Sequence, residues 1–504
     1  MKFKLLSIVA LAAALTLAAA HADRGSSAAP TKPNIVFVLT DDLAWNLVRY
    51  MPHVRELQRE GVTFSRFFVS DSLCCPSRAT IFTGKYPHDT RIFTNGGRLG
   101  GFRRFHRSGQ EKDTFATRLH AAGYLTAMMG KYLNQYYPTG KVGGKRAYVP
   151  PGWDEWDVGG QAYANFDYRL NENHRIVHYG RAPDDYLTDV LAGRGVAFVE
   201  RAVRAHRPFF LELATFAPHS PYTAAPRHAH LFPHLRAPRT PAFNERNLSD
   251  KPTWLKKYAP LRRHKVYSMD EDFRKRVQAV QAVDEMIGRL ENVLRARGQL
   301  ANTYIVFTSD NGYHIGEHRL GPGKQTAFET DIHIPLIVAG PGVFVGKHIG
   351  RLGSTVDLNP TFVELGGGIV SSTVDGRSLV PLLTGEPVDD WRKAVLIEHK
   401  GPDVTKSDPD FPGPVSGNPT SYKAIRLKSS VYVEYANGDR EFYNLKKDRY
   451  ELSNRARSLR PRVRKTLHRR VRALVRCHGP VECWTAAGGR SYAIPSRAQP
   501  RLQP

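Results

Sequence analysis

Two stretches of this chain limit its fold more than anything else in it. Asn34-Ile-Val-Phe-Val-Leu-Thr40 and Tyr304-Ile-Val-Phe-Thr-Ser309 are unbroken apolar, β-branched runs, and each stops on an oxygen-rich pair, Asp41-Asp42 and Asp310-Asn311. A strand without polar alternation has to be covered on both faces, which is the condition of a central strand in a parallel sheet. Tyr124 to Met129, Phe209 to Thr215 and His333 to Val338 are further strands of this kind. Helical patterns lie between them. The clearest runs from about Asp272 to Arg297, with Val277, Val280, Val283, Ile287, Leu290 and Leu294 on one face and Gly298 as its cap. Strands alternating with helices predict a doubly wound α/β fold, whose ligands gather at the carboxyl ends of the strands. Both acidic pairs then share one rim. Singly, an Asp-Asp pair is a helix cap or a loop; two oxygen-rich pairs at matching strand ends make a site. Oxygen ligands alone suit a hard cation, Ca²⁺ before Mg²⁺, rather than zinc.

The ends of the chain carry other information. Met1-Lys2-Phe3-Lys4, the apolar run Leu5 to Ala20 and the small-x-small pattern Ala20-His21-Ala22 predict a signal peptide over 1–22. The run is short and rich in small residues for a membrane anchor. Residues 23–32 form a disordered leader, and no later segment spans a membrane, so the expected location is exported, secreted or periplasmic. The formal net charge is +26, and between Lys446 and Arg476 thirteen Lys/Arg face only Asp448 and Glu451. Such a surface attracts polyanions. No nucleic-acid-binding motif accompanies it, so an acidic or sulfated glycan is the expected partner, with a merely solvated helix face as the alternative. Cys477 and Cys483 are expected to pair, whereas the adjacent Cys74 and Cys75 need another explanation. Past about residue 390 the pattern changes to short strands, Tyr422 to Leu427, Val431 to Tyr435 and Arg440 to Tyr443, with an Asn437-Gly438 hairpin turn. An amphipathic helix over Pro461 to Arg476 follows. The expected division is a catalytic domain over 33–390 and a C-terminal subdomain over 391–504, with Gly401 to Thr420 as a surface loop.

The remaining motif is Cys74-Cys75-Pro76-Ser77-Arg78-Ala79-Thr80-Ile81-Phe82-Thr83-Gly84. A helix is expected to begin near Pro76, which leaves Cys74 at an N-terminus that favours anions, with Arg78 one turn on. On these grounds alone, a buried structural thiol and a catalytic one are equally good readings. The stretch resembles the sulfatase signature C-x-P-S-R-x-x-x-x-T-G. The resemblance extends over about Lys32 to Asn454 and takes in Gly130-Lys131, Ala217-Pro218-His219, Ser309-Asp310-Asn311-Gly312, Lys324, Val374-Asp375-Gly376-Arg377-Ser378 and Phe442-Tyr443-Asn444-Leu445. It implies an alkaline-phosphatase-like α/β sandwich with a large, mostly parallel sheet flanked by helices and a small C-terminal antiparallel sheet and helix. It also implies that Cys74, not Cys75, is oxidised to Cα-formylglycine by a separate formylglycine-generating enzyme.

By the same resemblance Asp41, Asp42, Asp310, Asn311 and the modified Cys74 bind the metal. Arg78 steadies the hydrated aldehyde, Lys131 and Lys324 bind sulfate oxygens, and His219 lies over the sulfate. The implied reaction is hydrolysis of a sulfate ester through a covalent sulfo-enzyme, whose second geminal hydroxyl expels sulfate. One position departs from many arylsulfatases, which carry His two residues after the lysine, where this chain has Leu133. Gly130-Lys131-Tyr132-Leu133-Asn134, Gly84-Lys85-Tyr86-Pro87-His88 and Asp310-Asn311-Gly312-Tyr313-His314 instead resemble the N-acetylglucosamine-6-sulfatase and heparan endosulfatase branch. The implied substrate is a sulfated sugar such as N-acetylglucosamine 6-sulfate, or a small sulfate ester. An alkyl leaving group needs a proton, for which His219 is the first candidate and His314 the second. His314 and Asn134 are also weaker candidates for substrate contact, while His88 and His318 are expected to be structural. Two other readings compete: a phosphodiesterase or phosphonate monoester hydrolase on the same fold, and a non-catalytic protein that binds sulfated glycans.

Overall fold

The sheet that carries the two acidic strand ends has ten strands. The computed structural model describes residues 32–490, so the expected signal peptide and nearly all of the leader lie outside the described residues. In chain order the strands are β1 (Asn34–Thr40), β2 (Val62–Phe64), β3 (Leu125–Lys131), β4 (Glu155–Gly159), β5 (Tyr168–Glu172), β6 (Arg175–Tyr179), β7 (Phe209–Ala214), β8 (Thr303–Ser309), β9 (Leu336–Ala339) and β10 (Lys347–Ile349). They lie side by side as β10-β2-β9-β8-β1-β7-β3-β4-β5-β6. The central five, β8-β1-β7-β3-β4, are parallel. β9, expected as one more buried strand, runs antiparallel to β8 and starts only at Leu336, after Pro335, which has no N–H to give a ladder.

β1 shows why the interior of such a strand, here Ile35 to Leu39, contains no polar residue. Ile35, Phe37 and Leu39 enter one core with Ala79, Phe82, Phe115 and Phe362, and Val36 and Val38 enter another with Leu57, Leu191, Val277 and Ile287. The first layer comprises α2 (Cys74–Thr83), α3 (Phe115–Ala121) and α6 (Leu358–Leu365); the second comprises α1 (Pro52–Glu60), α4 (Leu187–Arg204) and α5 (Arg263–Ala296). Phe362 packs its ring on Phe37, Phe115 and Phe210, and Phe362→Ala costs about 3–5 kcal/mol. α5 begins about nine residues before the periodic pattern shows it, because its first turns (Arg-His-Lys-Val-Tyr-Ser) are mostly exposed and have no apolar face.

After β10 the chain builds a four-stranded antiparallel sheet from β11 (Ala394–His399), β12 (Tyr422–Leu427), β13 (Ser430–Tyr435) and β14 (Arg440–Asn444). One face of it, with Val395, Ile397, Ala424 and Val433, joins the first core; the other, with Leu396, Ile425 and Tyr432, is covered by Leu467, Val471 and Leu474 of α7 (Pro461–Leu474). Cys477 and Cys483 form a disulfide that joins α7 to α8 (Gly479–Ala486). Among the described residues, no helix is long and apolar enough to cross a membrane.

His88 ties this sheet to the main body: Nδ1 is 2.6 Å from Glu398 and Nε2 is 2.9 Å from the carbonyl of Cys477, a bracing role in keeping with the sequence. Burial lowers its pKa, but Glu398, the Cys477 carbonyl and Asp89 more than offset this and raise it from 6.5 to about 9. Burial works the other way on Glu398, where His88 and Lys423 hold the carboxyl down to about 2. The raised His88 contribution is therefore complete below pH 6.5 and is lost as pH rises through about 9. Thermal unfolding should show a midpoint that falls over this interval in the native chain and stays level in His88→Asn. Parallel curves for the two proteins would remove His88 as the cause.

Candidate functional site

The register Thr40↔Ser309 between β1 and β8 sets Asp41 and Asp310 side by side at one end of the sheet. Asp42 adopts a left-handed conformation, φ 66°, which aspartate tolerates better than most residues and which turns its backbone N–H to Asp310 Oδ1 at 3.1 Å. Arg276 of α5 donates to the carbonyl of Asp42, fixing this turn from behind. α2 starts at Cys74, two residues earlier than Pro76 suggests, since Pro in a first turn removes only an N–H that has no helical partner. Gly84 ends it in the left-handed conformation, φ 70°. Gly130 serves the site more directly. A Cβ there would sit 2.0 Å from the carbonyl oxygen of Ala214, so only glycine lets β3 run against β7 and swing Lys131 over the rim.

The side chains converge on Cys74. Its Sγ lies 3.2 Å from Asp41 Oδ1 and accepts from Lys324 Nζ at 2.9 Å. Lys131 Nζ donates to Asp41 Oδ2 at 2.6 Å, and Lys324 Nζ to Asp42 Oδ1 at 2.6 Å. Arg78 donates through Nε to Asp310 Oδ2 at 2.8 Å and through NH1 to the carbonyl of Lys131. All of these residues are buried, Arg78 at 0% exposure and Lys131 at 2%. Burial opposes ionisation of Asp310, but Arg78, Lys131 and Lys324 hold its carboxyl down to about 2. Burial raises Asp41, with Asp310 adding to it against the pull of Lys131. The Cys74 thiol is pushed well up by burial and by Asp310 and Asp41.

Donor atoms of Asp41, Asp42, Cys74 and Asp310 all lie within 4.8 Å of one another. Carboxylates so close repel one another. Asn311 gives its Nδ2 to Asp42 Oδ1 at 2.6 Å, and its Oδ1 is buried with no partner. Crowded carboxylates and an orphaned amide oxygen fit a hard divalent cation at this point.

His219 stands across the cleft with both ring nitrogens against acceptors, Nδ1 2.7 Å from the carbonyl of Ser220 and Nε2 2.6 Å from Asp410 Oδ1. Oxygen acceptors on each side favour the doubly protonated ring. Burial lowers its pKa, but Asp410, Asp42 and Asp41 raise it overall. Asp410 also contacts Lys324 at 2.7 Å, and its other oxygen accepts from Asn95 Nδ2 at 2.6 Å. Asn95 Oδ1 in turn takes the N–H of Cys75 in the first turn of α2. Asp410 lies in the segment 401–420, which the sequence casts as a surface loop. The structure corrects this: most of the segment is accessible, but the Asp410 carboxylate is 2% exposed within the site. With Asp42, His219, Tyr222, Tyr313 and Lys324 it lines a cavity of about 170 Å³. Composition hid the residue; the length of the β11–β12 connection was the available signal, because loops this long are usually functional.

The two weaker candidates sit differently. Asn134 is buried at the edge of the cleft, its Nδ2 3.5 Å from Tyr163 Oη and its Oδ1 without a partner. Tyr163 packs on His219 at 4.5 Å and under Lys131 Nζ at 5.0 Å. His314 is held by Asp331 at 2.9 Å and the carbonyl of Ser416 at 3.0 Å, so both of its nitrogens are engaged away from Cys74. His318 is paired with Glu245, and Leu133 lies in the apolar core.

The chain matches the family model Sulfatase over residues 33–369, and the model N-sulphoglucosamine sulphohydrolase, C-terminal, over residues 316–476. It is 34% identical over 505 residues to the N-acetylglucosamine-6-sulfatase of Capra hircus, covering 95% of this chain and 89% of that protein. To the extracellular sulfatase SULF-1 homolog of Drosophila melanogaster it is 35% identical over 387 residues, 75% of this chain but 34% of that one. A solved structure of BT4656 in complex with its substrate D-glucosamine-2-N,6-O-disulfate is similar with a TM-score of 0.73 at 25% identity, covering 88% of this chain and 97% of that one. The alkaline-phosphatase-like sandwich with its small antiparallel sheet is thus as the sequence implies.

Adding Ca²⁺ to metal-stripped protein should raise the unfolding midpoint, by the equivalent of about 2.7 kcal/mol at a hundredfold excess over Kd. Asp310→Asn should abolish the rise. A midpoint indifferent to both Ca²⁺ and Mg²⁺ in the unaltered chain would refute the cation site.

Proposed function

We infer the function from one premise: the chain belongs to the sulfatase family and is a sulfuric ester hydrolase. The finer reading is that it removes sulfate from sulfated sugars of the N-acetylglucosamine 6-sulfate type, after export, with residue 74 acting as formylglycine. The observation that carries it is that Lys324 contacts the side chain of Cys74 at the N-terminus of a helix, beside Asp41, Asp42 and Asp310, while Asp41 holds Lys131 and Asp410 holds His219 in the same cluster. The printed names of its relatives support the class of sugar.

Asp41, Asp42, Asp310 and Asn311 would hold the cation, read as Ca²⁺ from its oxygen donors. Formylglycine at position 74 supplies a hydrated aldehyde with two geminal hydroxyls, and the cation supplies the Lewis acidity that makes one of them nucleophilic. The rest is done by the chain's own residues. Lys324 touches the residue 74 side chain and Lys131 is held on Asp41, which also touches it, so the two ammonium groups can take sulfate oxygens and hold the sulfur for attack. Arg78 is fixed by Asp310 and by the Lys131 carbonyl, which leaves NH2 buried without a partner, 3.9 Å from Asp41. This free donor is suited to steadying the oxygens on residue 74. His219, doubly protonated and held by Asp410, gives its proton to the alcohol as the ester bond breaks. His314 does not line the cavity that His219 lines, and its contacts with Asp331 and the Ser416 carbonyl brace the loop after Asn311 instead.

A sulfate monoester carries one negative charge and a phosphate monoester up to two, so matched sulfate and phosphate esters compare this reading with that of a phosphonate or phosphodiester hydrolase. A large preference for phosphodiesters would overturn it. In the active protein, the tryptic peptide Phe67–Arg78 should be about 18 Da lighter than the unmodified sequence. An unshifted peptide from a fully active preparation contradicts the use of formylglycine. His219→Ala should lower kcat/KM about 10²–10⁴-fold on a sugar 6-sulfate, whose alcohol leaves poorly, and much less on 4-nitrophenyl sulfate. Equal losses on both substrates would remove His219 as the proton donor, whereas Lys324→Ala should impair both alike.

A further inference from the structure

The catalytic cleft leaves one feature of the chain unused, the cationic helix α7. Arg462, Lys465, Arg469 and Arg472, with Arg476 just past its end, recur at intervals of three and four residues and are all exposed. At 100° per residue they fall in one narrow stripe, opposite the buried Leu467, Val471 and Leu474. With a rise of 1.5 Å per residue the stripe is about 20 Å long, with a cation about every 5 Å. From Leu452 to Cys477 the chain contains no acidic residue. Among the described residues, the ion pair on this helix is made by His468 with Glu434, and none is recorded for any of the five cations.

This arrangement works against the helix itself. Like charges three and four residues apart repel, and the basic residues of its first turn oppose the macrodipole, with no acidic residue there to balance them. A linear polyanion laid along the stripe relieves both effects. Beyond its midpoint, the stripe borders a groove of about 600 Å³ between α7 and α8, lined by Arg469, Arg476, Thr485 and the half-exposed Val481. The α7 wall is cationic, whereas the α8 wall carries Val481, which suits a sugar ring face, together with the exposed Glu482, so the sulfates of a sugar chain would lie on the α7 side. The helix covers the face of the four-stranded sheet opposite the main core, so the stripe is separate from the cleft.

We propose that the α7 stripe is a non-catalytic binding site for a sulfated polysaccharide, holding the enzyme on the polymer whose sulfates it removes. The choice of polymer rests on the sulfated-sugar reading above. The full chain and an R462Q/K465Q/R469Q/R472Q variant are compared for binding to immobilised heparin dodecasaccharide in 0.15 M salt. The variant should bind at least tenfold more weakly. The slope of log K against log salt should fall by about three if the chain releases counterions as a single nucleic-acid strand does. Its kcat/KM on a 6-sulfated monosaccharide should stay within twofold of the unaltered chain. Equal heparin affinity in the two proteins overturns the proposal. So does tighter binding to single-stranded DNA or to vesicles of equal parts phosphatidylglycerol and phosphatidylcholine than to heparin. An unaltered chain inactive on the monosaccharide would sink the catalytic reading, while the heparin comparison would still decide the fate of the stripe.

Discussion

Everything in the site depends on one electrostatic constraint, that four carboxylates be buried together. Asp41, Asp42, Asp310 and Asp410 are almost wholly removed from water. A single uncompensated carboxylate in such a place costs several kcal/mol. Arg78, Lys131, Lys324 and His219 are placed among them so that each carboxylate meets a cation. Such a lattice tolerates little displacement, which explains the rigidity of what surrounds it. β1 and β8 are locked in register for seven residues, Gly130 brings β3 against β7, and Arg276 holds the turn at Asp42.

Half of this lattice can be read from the sequence because it obeys local rules. Asp41, Asp42, Asp310 and Asn311 follow strands whose burial is visible in their composition, and parallel topology then brings them to one rim. Lys131, His219 and Lys324 were reached only through family resemblance. Each stands where a strand or loop ends, and no periodicity marks it. Asp410 and Asn95 escaped both routes. They belong to irregular segments, and they matter through a contact that spans more than 300 residues of chain. The long helix and β9 show the same limit on a smaller scale, since exposed polar turns and a strand's direction leave no imprint on hydrophobic patterning.

The small C-terminal sheet has a double part in this design. Its inner face completes the apolar core behind α2, and its first connection carries Asp410 into the cleft, so packing and chemistry use the same element. His88 and Glu398 join the two parts by a buried ionic contact rather than by apolar area alone, which fixes orientation as well as proximity.

The complete burial of Cys74 has a consequence for timing. In the folded chain its side chain is closed in by β8, by Lys324 and by the loop that bears Asp410, and no enzyme-sized reagent can reach it. Chemistry performed on residue 74 by another protein must therefore come before the fold closes. At translation rates of about 5–20 residues per second, the interval between the appearance of Cys74 and that of Asp410 is roughly 20–70 s. A modification of residue 74 by another enzyme would thus race the chain's own folding, and the distance in sequence between the two residues would set the length of that race.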